Sequence, residues 1–198
     1  SFIYKAAKQD RWRRKKNEQP QTCQKNHPEQ AGMSKLTHIE ADNFTAFAHL
    51  EQAFSPGINI VIGGNGTDKT HLLKLLYAAC AITVGEDQEK SYALKLRNVF
   101  SPYEGRMGRL SRRQSVSVKT RVVLTRQGGA KLAAEFSNHT HKPDDVKTTG
   151  EAGWKKEELS SAYIPVKEML AHAPGFLATA AKRELAFEEV YTDIIKRA

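Results

Sequence analysis

Cysteine is nearly absent: Cys23 and Cys80 are the only two in 198 residues. They lie far apart and without metal-ligand spacing, so neither a disulfide-stapled scaffold nor a cysteine zinc site is indicated, and a reducing cytoplasm is the simplest setting. Also missing is any apolar run long enough to span a membrane or to act as the hydrophobic region of a signal peptide. The chain does have 39% hydrophobic residues, enough at this length to bury a core for one domain or a little more. It carries a formal charge of +9, unevenly placed. Residues 1–32 hold eight Lys or Arg against Asp10, Glu18 and Glu29, a net +5, which leaves +4 for the remainder.

That first segment is unlike the rest of the chain. Arg11-Trp12-Arg13-Arg14-Lys15-Lys16 runs into Asn, Gln, Pro and His residues with no apolar periodicity, so residues 1–32 are expected to form a basic, disordered extension. Such an arm could bind DNA through its phosphates, with Trp12 stacking on a base. The plainer alternatives are a solvated tail or a segment upstream of the natural start, since Met33-Ser34-Lys35 reads as a start.

The remaining residues are organised around the stretch 58–76. An apolar run, Ile58-Asn59-Ile60-Val61-Ile62, meets Gly63-Gly64-Asn65-Gly66-Thr67-Asp68, and Lys69-Thr70 then opens a helical pattern with Leu72, Leu75, Leu76 and Ala79 on one stripe, widened by Leu73 and Cys80. Strand, glycine-rich loop and helix with Lys-Thr at the junction is the layout of a phosphate-binding P-loop. Glycines let backbone N–H groups wrap a triphosphate, and the helix N-terminus adds partial positive charge. Lys69 would reach the β- and γ-phosphates, and the Thr70 hydroxyl would hold Mg²⁺. One residue departs: the pattern's second fixed glycine falls on Asp68. At ~5 Å and an effective dielectric of ~20, its charge would oppose each phosphate charge by roughly 3 kcal/mol, about two decades of affinity. An Asn65-Gly66 turn and a helix capped by Asp68 would satisfy the same residues with no ligand at all.

Upstream, Leu36 to Ala41 and Ala48 to Phe54 alternate as half-buried strands, with a turn at Asn43-Phe44, and Ser55-Pro56-Gly57 turns the chain into residues 58–62. A continuous apolar run of that kind predicts a strand buried on both faces of a mixed sheet, with the helix from Lys69 packed on it.

Residues 33–80 resemble the opening of RecF/SMC-type, ABC-class ATPases, in particular bacterial AAA family ATPase proteins of that group. The likeness rests on Asn43-Phe44, on Phe54-Ser55-Pro56-Gly57-Ile58-Asn59-Ile60-Val61-Ile62-Gly63, and on Gly63 to Thr70 against that family's GxNGSGKS or GxNGSGKT loop. The resemblance implies an α/β, P-loop NTPase-like mixed sheet around a central helix, with an antiparallel β subdomain beside it. It implies ATP and Mg²⁺ as cofactors, with Gly63, Gly64, Asn65, Gly66, Thr67, Asp68, Lys69 and Thr70 at the nucleotide and Thr70 at the metal. It further implies pairing with a second ATPase head and work on DNA or in bacterial defence.

The middle of the chain predicts that antiparallel part. Val116, Val118, Val122 and Leu124 share one face of a strand, Gln127-Gly128-Gly129 turns, and Leu132, Ala134 and Phe136 return. Leu110-Ser111-Arg112-Arg113-Gln114 is superficially like the ABC signature LSGGQ, but arginines replace both glycines and a strand follows where a helix should begin. Arg109, Arg112 and Arg113 are read instead as covering a solvated edge. Residues 137–158 read as loops, with His139 and His141 lacking a third ligand nearby and Trp154 anchoring the loop on the core. Ile164-Pro165-Val166-Lys167-Glu168-Met169-Leu170 and the stripe Phe187, Val190, Tyr191 and Ile194 extend the resemblance to about half the chain. The domain plan is therefore an extension over 1–32 and the N-terminal part of an ABC-like head over 33–198, with a P-loop core at 33–85, a β arm and loops at 92–158, and a strand and helices at 160–198.

Phosphoryl transfer in this class also needs an apolar strand ending in Asp-Glu and a true signature helix. Neither is found: Val122-Val123-Leu124 runs into Thr125, and Glu188-Glu189 opens a helix. The expectation is an ATP-binding, ATPase-type domain that is hydrolysis-deficient as this chain and incomplete without a C-terminal half or a partner. The alternatives are a nucleotide-blind remnant acting as an interaction module, or a DNA-binding protein led by its basic arm.

Overall fold

The computed structural model describes residues 35–164 together with Glu189 and Asp193. The basic extension, the segment from Pro165 and most of the last helical stripe lie outside the described residues.

Five strands form one sheet in the order β2-β1-β3-β4-β5: β1 Leu36–Phe44, β2 Phe47–Ala53, β3 Lys119–Arg126, β4 Lys131–Ser137 and β5 Lys147–Thr149. Every pairing is antiparallel. Register follows the two-residue period of the side chains. Ile39 sits opposite Leu124, Ala41 opposite Val122, Leu124 opposite Leu132 and Val122 opposite Ala134, so all six buried side chains share one face. The other face carries Glu40, Arg121 and Glu135, with Arg121 Nε 3.2 Å from Glu135 and its Nη1 3.8 Å from Glu40. The β3–β4 hairpin is as the alternation predicts, with Gly128 and Gly129 supplying φ values of 86° and 82° at its turn. Val116 is exposed, however, because β3 begins only at Lys119.

Two helices pack against the buried face. Helix α1, Lys69–Ala81, buries Leu72, Leu75, Ala78 and Ala79, while Leu73 is exposed. Helix α2, Tyr92–Phe100, buries Tyr92, Ala93, Leu96 and Val99 and is capped by Ser91, whose side chain accepts the N–H of Leu94 at 3.2 Å. The α/β class stands. Trp154 closes the short helix α3, Glu151–Trp154, and anchors it: the ring is fully buried and its Nε1 donates to the Ala79 carbonyl at 2.7 Å. Cys80 is buried too, and burial pushes its thiol up to about 12, so it behaves as a packing residue.

Residues 58–62 differ from expectation. They form no strand, and Ile58, Ile60 and Ile62 are 89%, 81% and 87% exposed. A strand buried on both faces needs a neighbour along each edge to take its N–H and C=O groups. Among the described residues no strand pairs with it. The turn before it is held instead by the Asn59 side chain, which accepts the Ser55 N–H at 2.9 Å and donates to the Ser55 and Gly57 carbonyls.

The opposite anomaly lies under α2. Lys95 is fully buried, with Nζ 2.6 Å from Asp87 and 2.8 Å from Asp193, while Lys90 Nζ lies 2.7 Å from Asp87 and 2.6 Å from Glu189. Burial raises the Asp87 carboxyl, but hydrogen bonds from Lys90 and Lys95 outweigh it and hold the group below its ordinary value.

Candidate phosphate-binding site

The site is the bend between residues 62 and 72. A Cβ at Gly63 would fall 2.8 Å from Thr67 Oγ1, which would have to swing away from its place in the bend, and Gly66 takes φ 77°. Asp68 occupies the N-cap position of α1 in the left-handed region, φ 56°, ψ 25°, and its side chain makes no capping bond there. That backbone state is the one a glycine adopts at no cost, so the conformation called for by the loop pattern is kept while the residue is changed. Sequence reading places residues 63–70 together, and the structure brings them into one solvent-facing turn at the α1 N-terminus. The Thr67 N–H turns toward the Gly64 carbonyl across the turn at residues 65–66, and among the described residues no protein acceptor takes the backbone N–H groups of Gly64, Asn65, Gly66, Asp68, Lys69 or Thr70. A cradle of free amides at a helix start is what an anion needs.

Lys69 folds back over this cradle, its Nζ donating to the Gly63 carbonyl at 2.9 Å and the Gly64 carbonyl at 2.6 Å. Thr67 Oγ1 donates to the Gly64 carbonyl at 2.9 Å. The Thr70 side chain faces solvent on the first turn of α1. These contacts hold the bend in a ring with the ammonium at its mouth, the place from which it could reach a phosphate oxygen.

The Asp68 carboxylate is not simply aimed into the loop. It accepts the Ala46 N–H at 2.7 Å in the turn between β1 and β2, and His71 Nδ1 lies 3.0 Å away. That imidazole contact is close but poorly aligned for a hydrogen bond. Burial raises the Asp68 carboxyl, and the Ala46 amide, the Thr45 side chain and His71 together outweigh it, leaving the group below its ordinary value. The repulsion of roughly 3 kcal/mol expected from an unengaged carboxylate is therefore an overestimate, because the Ala46 amide already draws on this charge.

Beside the loop lies a hollow of about 370 Å³, lined by Phe47, Leu50, Phe54, Ile60, Thr67 and Lys69 among others. Sequence reading does not find it, because it depends on β2 turning its aromatic residues toward the bend. The LSRRQ segment is no signature helix: Leu110 ends a 3-10 turn, Ser111 bridges to Phe44, and residues 112–115 are irregular.

No family model matches the chain. RecF proteins, described as DNA replication and repair proteins, are similar to it. Those of Lacticaseibacillus casei (strain BL23) and Lacticaseibacillus paracasei (strain ATCC 334) are each 28% identical over 94 residues, and that of Bacillus mycoides (strain KBAB4) is 28% identical over 93. The match covers 48% of this chain, or 47% for the Bacillus protein, and 24% of each relative, so the chain matches about a quarter of the length of these relatives. A solved chain described under the structural biochemistry of SMC ATPases, their ATP-driven dimerization and their DNA-stimulated activation, aligns with 81% of this chain and 99% of its own, at 13% identity and a TM-score of 0.41. That score is too low to establish a common fold. The resemblance to RecF/SMC-type, ABC-class ATPases read from the loop stands on the RecF similarity, which spans about half the chain.

Proposed function

We propose that this chain is an ATP-binding domain of RecF/SMC-like type that receives the triphosphate through the backbone amides of residues 63–70. The observation that carries the reading is the bend itself: free N–H groups at a helix N-terminus, positive φ at both Gly66 and Asp68, and the Lys69 ammonium across the mouth. The residues fit the ligand. On binding, Lys69 exchanges two loop carbonyls for phosphate oxygens, and Thr70 offers its hydroxyl to Mg²⁺. The apolar hollow beside Thr67 suits the face of a base.

Binding without turnover by this chain alone completes the proposal, in a cytoplasmic setting. Among the described residues no apolar strand presents an Asp-Glu pair to Lys69, so hydrolysis would draw on a second ATPase head or on a C-terminal half. DNA as a partner enters by way of the relatives' described role.

Isothermal titration with Mg²⁺-ATP tests the reading on the native chain, on Asp68→Gly and on Lys69→Ala. The glycine variant is expected to bind about tenfold more tightly, a factor worth about 1.4 kcal/mol, and the alanine variant more weakly than the native chain. Equal affinity for native and glycine chains would refute the repulsion. Binding by none of the three would leave a nucleotide-blind interaction module in place of this reading.

A further inference from the structure

A second hollow, of about 1430 Å³, has Asp68 in its lining and takes one wall from the segment 106–113. The sequence reads Arg109, Arg112 and Arg113 as covering a solvated edge; in the fold all three border this concavity, together with Phe100, Pro102 and Tyr103.

Charge sets the first requirement on an occupant. Arg109, Arg112 and Arg113 have no carboxylate partner among the described residues, whereas Arg106 lies 3.4 Å from Glu104. Asp68, the acidic residue of the lining, already accepts the Ala46 N–H at 2.7 Å. The rim therefore carries uncompensated positive charge and suits an anionic partner.

The apolar lining decides which kind of anion. Leu110 is buried, Phe100 and Pro102 are half-buried, and Tyr103 stands 71% exposed with the Arg109 guanidinium 5.8 Å from its ring centre. A nucleic acid strand would lay phosphates over this apolar ground and find one exposed ring where a row of stacking platforms is wanted. A polypeptide matches both parts at once, with carboxylates in the guanidinium forks and an apolar side chain between them. An apolar centre edged by Arg and Tyr is also the composition of protein-binding hot spots. The wall is held ready for such a partner. Its backbone is tied to β1 through Arg112 N–H to the Asn43 carbonyl at 2.8 Å, and to residues 138–141 through Gly108 N–H to the Thr140 carbonyl at 2.7 Å. Gly108 permits that approach, since a Cβ there would meet the Asn138 carbonyl oxygen at 2.3 Å. A wall fixed in this way loses little freedom on binding.

We infer that this hollow docks an acidic peptide segment of a partner protein, with its carboxylates on Arg109, Arg112 and Arg113 and an apolar side chain against Tyr103, Phe100 and Pro102. The segment it fits is a run of Asp or Glu interrupted by Leu or Phe, because charge holds it at the rim and the apolar side chain sets its register. The inference is independent of the nucleotide reading, since neither Lys69 nor the loop amides take part.

The test titrates the full chain, by fluorescence anisotropy across a salt series, with labelled peptides of equal length. One is built of Glu around a central Leu-Phe pair, one has Ser in place of that pair, and one has Gln in place of every Glu; labelled oligothymidylate is the rival probe. The Leu-Phe peptide is expected to bind about tenfold more tightly than its Ser counterpart, and the Gln peptide not to bind. Combining Arg109→Gln, Arg112→Gln and Arg113→Gln is expected to lower affinity by about tenfold or more and to flatten its salt dependence, because exposed ion pairs are screened by salt. Tyr103→Ala is expected to cost about fivefold with the salt dependence unchanged. Arg121→Gln, on the other face of the sheet, should change nothing and serves as the control. Equal binding of the two acidic peptides would make the hollow an unselective basic surface and overturn the proposal, as would no binding at all. Tighter binding of oligothymidylate, lost in the same arginine variant, would overturn it in favour of nucleic acid. Loss of peptide binding on combining Arg11→Gln, Arg13→Gln and Arg14→Gln, with the hollow variants unaffected, would overturn it in favour of residues 1–32. A chain that fails to bind Mg²⁺-ATP yet holds the peptide through these residues supports the proposal and removes only the nucleotide reading.

Discussion

Lys95 and the Ile58–Ile62 run break the usual pairing of polarity with exposure in opposite directions. One is a charged side chain with no solvent contact; the other places three isoleucines more than four-fifths in water. Their neighbours explain both. The Lys95 ammonium is acceptable inside because Asp87 and Asp193 reach it at hydrogen-bond distance, so its charge is compensated on the spot. The isoleucines are outside because no described strand pairs with them, although burying each would be worth roughly 1.5–3 kcal/mol. Burial in this molecule is decided by available partners before hydropathy.

The comparison breaks most visibly at Lys95. Lys95→Met leaves the carboxylates of Asp87 and Asp193 without their central cation, and the expected cost is about 3–5 kcal/mol in a urea unfolding experiment. A change below about 1 kcal/mol would mean the cluster is wetter than its burial shows. The same cluster should respond to acid. A carboxyl held below its ordinary value contributes stability that is complete above about pH 4 and is lost as pH falls through the lowered value. The unfolding midpoint is therefore expected to be level from neutral pH to about 4 and then to drop, with Asp87→Asn removing part of that drop. The smallest effect belongs to the other region. Replacing Ile58, Ile60 and Ile62 by Thr is expected to shift stability by no more than about 0.5 kcal/mol per site, while reducing self-association in sedimentation. A loss of about 2 kcal/mol per residue would show that the run is covered in solution.

Legibility in the sequence divides along the same line. The β3–β4 hairpin can be read from Val122, Leu124, Leu132 and Ala134, because alternation and a Gly-Gly turn are local signals. The bend at residues 63–70 is equally legible, its conformation being written in glycines and in the Lys-Thr beyond them. Trp154 on the core is expected from its size. Helix α2 escapes sequence reading although Ser91, Tyr92, Leu96 and Val99 carry its cap and its stripe; nine residues give few repeats of a 3.6-residue period. The Lys95 cluster is not readable at all, since Asp193 lies 98 positions away. Residues 58–62 mislead because a run of isoleucines reports what a strand would prefer, not whether neighbours exist. The concavity beside residues 106–113 is hidden for a related reason: it also takes its lining from residues 138–141, about 30 positions on.

The role of the bend is decided by the backbone N–H signals of Gly64, Gly66, Lys69 and Thr70, monitored by ¹⁵N NMR while Mg²⁺-ATP is added. If the bend receives a triphosphate through main-chain amides, these four shift together and saturate with one dissociation constant, and they shift further downfield than any amide of the sheet. If they stay in place while signals elsewhere move, ATP is held by other residues and the loop is only a turn that starts a helix.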